Sequence, residues 1–82
     1  MNVELSPKAV KFCKRLNEPM RSRIAAALHK LEEEPPQGDI KALSGEDGYR
    51  ARVGKYRILF DILDDSVYVH DIGLRGQIYK GR

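Results

Sequence analysis

Val3 and Leu5 alternate with polar neighbours, which predicts a short first strand over 2–5. Ser6-Pro7 then reads as a helix start, a capping hydroxyl followed by proline at the first helical position. Val10, Cys13 and Leu16 recur at a spacing of three, with Phe12 alongside. Asn17-Glu18-Pro19 breaks this helix and caps the next. Met20, Ile24, Ala27, Leu28 and Leu31 form one apolar stripe of that second helix, with Arg21, Arg23, Lys30 and Glu32 off it. Pro35-Pro36 ends the helical hairpin. Residues 35–48 read as a polar connector anchored by Ile40 and Leu43.

From Tyr49 the period changes to two. Tyr49, Ala51 and Val53 alternate with Arg50 and Arg52. Gly54-Lys55 has glycine first, the preference of a type II′ hairpin turn. Tyr56, Ile58, Phe60 and Ile62 carry the alternation onward, Asp64-Asp65 marks a second turn, and Val67 to Ile72 is a further strand ended by Gly73. The order β-α-α-β-β-β predicts one α+β domain, with two N-terminal helices packed on one face of a small antiparallel sheet. At 82 residues there is room for one domain.

That hairpin aligns Val53 with Tyr56, Arg52 with Arg57, Ala51 with Ile58, Arg50 with Leu59 and Tyr49 with Phe60. One face is apolar and packs on the helices; the other carries Arg50, Arg52 and Arg57. Arg52 opposed to Arg57 is a like-charge pair that costs up to roughly 1 kcal/mol. A bound anion would relieve it. The alternative is that the three arginines splay into water or pair with Asp61 or Glu46. His70 lands on the arginine face if the Asp64-Asp65 loop has two residues, and on the core face if Ser66 joins the loop.

Charge sharpens this picture. Residues 1–48 hold eight Lys/Arg and eight Asp/Glu, whereas residues 49–82 hold seven Lys/Arg against four Asp, so the whole net charge of +3 lies in the second part. Five of those seven are arginines (Arg50, Arg52, Arg57, Arg75 and Arg82), which suit bidentate phosphate contacts. One cysteine forms no internal disulfide, no Cys/His cluster suggests a metal, and no apolar run approaches a membrane span. These features predict a cytoplasmic protein that uses neither metal nor cofactor. His29 reads as a surface or boundary residue, Cys13 as a small buried side chain, and Glu32-Glu33-Glu34 as a solvated helix end.

The helical hairpin ending in LEEEPPQGDIKALSG, then GYRARVGKYRILFDILDD, then IGLRGQIY resembles toxins of the RelE/ParE superfamily of toxin–antitoxin pairs over nearly the whole chain. The run from Gly48 to Arg57 is the most specific part. The resemblance implies a RelE-like fold and a metal-independent endoribonuclease that cleaves mRNA in the ribosomal A site. The ribose 2′-OH would attack the adjacent phosphate, leaving a cyclic phosphate and a 5′-OH. Carried over by position, it implies that Arg57 and Arg75 hold the scissile phosphate, and that Arg50 and Arg52 hold flanking phosphates or promote attack. Tyr79 would stack on a base or transfer a proton. Lys55, Lys80 and Arg82 would add RNA contacts. Arginine stays protonated and is a poor base, so His70 or Glu46 is the alternative to Tyr79 for proton transfer. The implied partners are a cognate antitoxin, the ribosome and its mRNA. The competing reading is a ParE-like toxin that binds and poisons DNA gyrase without cutting RNA.

Overall fold

The computed structural model describes residues 1–78. In chain order the elements are β1 (Asn2–Leu5), α1 (Pro7–Arg15), α2 (Met20–Lys30), β2 (Ile40–Ala42), β3 (Tyr49–Val53), β4 (Tyr56–Leu63) and β5 (Ser66–Leu74). The two helices lie on one face of a five-stranded sheet ordered β1-β5-β4-β3-β2. The predicted α+β arrangement is therefore present, with two additions. The connector supplies β2, whose Ile40, Lys41 and Ala42 pair with Ala51, Arg50 and Tyr49. The sheet is also mixed, because β1 runs parallel to β5, Asn2 to Leu5 matching Ser66 to Val69.

The parallel edge follows from how α1 is held. Ser6 caps α1 by accepting from the Ala9 amide at 3.0 Å. Its own amide donates to the Val69 carbonyl at 2.8 Å, and its hydroxyl donates to the His70 carbonyl at 2.6 Å. The residue that starts α1 is thereby bound to β5, and the strand before it lies along the same neighbour.

In α1 the buried stripe is Ala9, Phe12, Cys13 and Leu16, and Val10 is exposed. The predicted Val10–Cys13–Leu16 stripe is corrected by helix geometry: steps of three and four track one face, whereas repeated steps of three drift around the helix. In α2, Ile24 and Leu31 are buried and Met20, Ala27 and Leu28 pack beside them, as the stripe predicts. From the sheet, Ala51, Ile58, Phe60, Val67, Val69 and Ile72 complete the core. Tyr49 stacks on Phe60 with ring centroids 5.7 Å apart, and Phe12 meets Tyr56 edge-on at 5.8 Å.

The β3–β4 register is the predicted one, Arg52 opposite Arg57 and Arg50 opposite Leu59. Gly54 takes a φ of +59° in the turn, which glycine adopts at no steric cost. The Asp64-Asp65 loop has two residues, since Leu63 pairs with Ser66. Further along, Phe60 matches Val69 and Leu59 matches Asp71, so β5 bulges at His70. β5 continues through Gly73 to Leu74, two residues past the predicted end at Ile72.

Candidate nucleic-acid interface

Strand alternation sends Arg50, Arg52, Arg57, Leu59 and Asp61 to the face away from the helices. The three arginines differ in their surroundings. Arg50 is only 6 % exposed. Its Nη1 donates to the Asp39 carbonyl at 2.9 Å and lies 3.4 Å from the Asp39 carboxylate. Arg52 is exposed, and its Nε stands 4.0 Å from that carboxylate. Arg57 is half-buried opposite Gly73, which has no side chain to fill the space in front of it.

Asp39, in the segment leading into β2, is thus the residue that meets Arg50 and Arg52. The sequence pattern offered Asp61 or Glu46 for the three arginines and did not include Asp39. Asp61 is held by another partner. Asp61 lies four residues beyond Arg57 on β4, about 13 Å at the usual rise per strand residue, and its Oδ2 is 2.5 Å from His70 Nε2. No local signal in the sequence marks Asp39, because its role depends on β2 forming at the sheet edge.

After β5 the chain turns. The Arg75 amide donates to the Lys55 carbonyl at 3.1 Å, one step beyond the Tyr56–Leu74 pair. Arg75 therefore joins Arg52, Lys55 and Arg57 at the hairpin-tip end of the sheet. Lys55 lies over the Tyr56 ring, 5.9 Å from its centroid. The Ile78 amide donates to the Leu74 carbonyl, and the Ile78 side chain lies 3.8 Å from where a Cβ on Gly73 would stand. Ile78 and Leu59 are buried outside the main core, so the turn after β5 lays an apolar residue across the arginine face.

The other end of that face is acidic. Asp61 and His70 form one pair, and Lys8 Nζ reaches Asp71 at 3.2 Å. A pocket of about 430 Å³ between them is also lined by Asp47, Gly48 and Leu59. Gly48 has a φ of +108°, and a Cβ there would stand 2.8 Å from Asp61 Oδ1, so only glycine fits. His70 lies at this end, where Asp61 holds its ring. Tyr79, Lys80 and Arg82 lie outside the described residues. Among the described residues no group of His, Cys, Asp and Glu could hold a metal ion, and no helix is long and apolar enough to cross a membrane.

What the described residues assemble is a sheet end bearing Arg52, Lys55, Arg57 and Arg75, with Asp39 beside Arg52. Such an array can hold successive phosphates of a polynucleotide and stabilise charge that develops on one of them.

Comparison with known proteins agrees with this architecture. RelE of the archaeal RelE–RelB complex from Pyrococcus horikoshii OT3 is similar at 27 % identity and a TM-score of 0.77, over 93 % of this chain and 96 % of that one. The RelB–RelE antitoxin–toxin complex from Methanococcus jannaschii gives 26 % identity and a TM-score of 0.77, over 94 % and 95 %. The isolated E. coli RelE toxin shares the fold at 22 % identity and a TM-score of 0.75, over 98 % and 92 %. No curated protein sequence matches. The family described as ParE toxin of type II toxin-antitoxin system, parDE, matches residues 3–79. With that match spanning almost the whole sequence, the chain belongs to the ParE toxin family of type II toxin–antitoxin systems.

Proposed function

We propose that this toxin is a ribosome-dependent mRNA endonuclease of the cytoplasm, held inactive by a cognate antitoxin. The observation that carries the reading is the meeting of Arg52, Lys55, Arg57 and Arg75 at the hairpin-tip end of the sheet. In the reaction the substrate 2′-oxygen bonds to phosphorus as its proton leaves. The P–O5′ bond then breaks, and the departing oxygen takes up a proton. The products are a 2′,3′-cyclic phosphate and a 5′-hydroxyl. Arg57 and Arg75 hold the non-bridging oxygens and offset the charge that builds on them. Arg52 and Lys55 hold neighbouring phosphates, and Arg50, tied to Asp39, supports β3 beneath them. Tyr79 is assigned the proton transfer and Lys80 and Arg82 further RNA contacts, the roles that the family resemblance implies for them.

The antitoxin follows from the toxins of similar fold, which occur as RelE–RelB complexes. The ribosome enters because an 82-residue chain has little surface with which to grip and bend RNA by itself.

The test is expression without antitoxin and mapping of mRNA 5′ ends in a translating extract. Ribosome-dependent cuts with cyclic-phosphate ends are expected, and Arg57→Ala should lower the rate by about 10²–10³-fold while the protein stays folded. Growth arrest with intact mRNA and damaged DNA would replace this reading with the gyrase-binding one.

A further inference from the structure

The cationic surface continues past the edge of the sheet. A cleft of about 400 Å³ opens between α2 and the edge where β2 and β3 meet. Arg23 and Lys30 line it from α2, and Arg52 and Asp39 from the sheet. Arg23 and Lys30 are seven residues apart, two helical turns, so they lie on one side of α2. The Arg23 guanidinium rests against the hairpin tip, its Nη2 3.4 Å from where a Cβ on Gly54 would stand. Among the described residues its one side-chain hydrogen bond goes to Met20 Sδ at 3.7 Å. Among the described residues, no carboxylate lies within ion-pair distance of Arg23 or Lys30. Asp39, the one carboxylate in the cleft, already faces Arg50 and Arg52. The cleft is therefore positive, and Arg52 belongs both to it and to the arginine face. Gln37 at its rim offers an amide that can donate or accept.

We propose that this cleft is a second RNA subsite, in which Arg23 and Lys30 hold the phosphate of a nucleotide adjoining those on the sheet face. The inference rests on the RNA-cleaving reading above and extends it. A strand leaving Arg57 passes Arg52, rounds the free edge beyond β2 and meets the two α2 cations. A polyanion with regularly spaced phosphates matches cations arranged along such a path.

The test is a titration of the isotopically labelled toxin with a short single-stranded RNA carrying 2′-O-methyl groups, which block cleavage. Chemical-shift changes at Arg23, Lys30 and Gln37, together with those at Arg52 and Arg57, are expected. The double variant Arg23→Ala/Lys30→Ala should bind more weakly, and its log–log salt slope should fall by about 0.7, the value for one phosphate contact on a single strand. Lys14→Ala on α1 is the control and should leave the slope unchanged. Shifts confined to Arg52, Arg57 and Arg75, or an unaltered salt slope in the double variant, would overturn the subsite and leave the RNA reading standing. No shifts at all would overturn the subsite, and the RNA-cleaving reading itself stands or falls on the mapping of mRNA 5′ ends.

Discussion

Arg50 and Arg52 stand two positions apart on the same strand face, yet the tertiary structure gives them opposite work. Arg50 is buried and its guanidinium is bound to the Asp39 carbonyl and carboxylate. Removing it loses a hydrogen bond from a buried charged group, although the Asp39 carbonyl still accepts from the Arg52 amide at 3.0 Å, so Arg50→Ala should cost about 1.5–3 kcal/mol of stability. Arg52 is exposed and faces Arg57 across the hairpin. Arg52→Ala removes a like-charge opposition and should leave stability unchanged or raise it by up to ~1 kcal/mol, while lowering cleavage. Urea denaturation of the two variants, beside a cleavage assay, separates the structural arginine from the one proposed to bind substrate. Equal loss of stability in both would refute the distinction. The sequence made these residues visible through strict alternation and a two-residue turn. It left their difference hidden, because Asp39 is eleven residues from Arg50 and reaches it only once β2 has paired with β3.

Among the elements, α2 shows how a helix begins without a conventional cap. The preceding Pro19 supplies no capping side chain. Glu18 reaches forward instead, its Oε1 accepting from the Ser22 hydroxyl at 2.7 Å and the Ser22 amide at 3.2 Å. The Ser22 hydroxyl contact, with smaller help from the Ser22 amide and nearby Arg21, holds the Glu18 carboxyl below its ordinary value. A lowered folded-state pKa means stability present above the unfolded pKa of about 4.3 and lost as pH falls through the folded value. Glu18→Gln should therefore flatten the acid side of the melting-temperature profile and leave neutral pH little changed, because the carboxylate is fully exposed. Calorimetry across pH ~3–7 reads this directly; an unchanged acid limb would show that Glu18 does not anchor the helix start. The break at Asn17-Glu18-Pro19 was legible in the sequence. The residue that performs the capping was not, since Glu at this position looks like any solvated charge.

The whole molecule is one core between two helices and a sheet, and Phe60 sits near its centre with 1 % exposure. A domain of this size has about 4–12 kcal/mol of stability at 0.05–0.15 kcal/mol per residue, and Phe60→Ala removes about 3–5 kcal/mol. The variant should melt far below the parent or fail to fold, and thermal denaturation followed by circular dichroism checks it; a near-native melting temperature would place the core elsewhere. At this scale the charge is also divided, with cations at the hairpin tip and the Asp61–His70 and Lys8–Asp71 pairs toward the other end. On the proposed RNA reading that division would orient a polyanion on the face, and it depends on β4 carrying Arg57 and Asp61 on the same side, four residues apart. Sequence alone determined the helical hairpin, the β3–β4 register, the two tight turns and the convergence of the arginines. Each of these follows from local periodicity or turn chemistry within a few residues. Only the tertiary structure decided that β1 runs parallel to β5, that 40–42 become an edge strand, that Asp39 meets Arg50, and that Arg23 and Lys30 extend the cationic surface. Those outcomes join segments far apart in the chain, where pairing partners compete on total burial and hydrogen bonding and no short-range pattern names the winner.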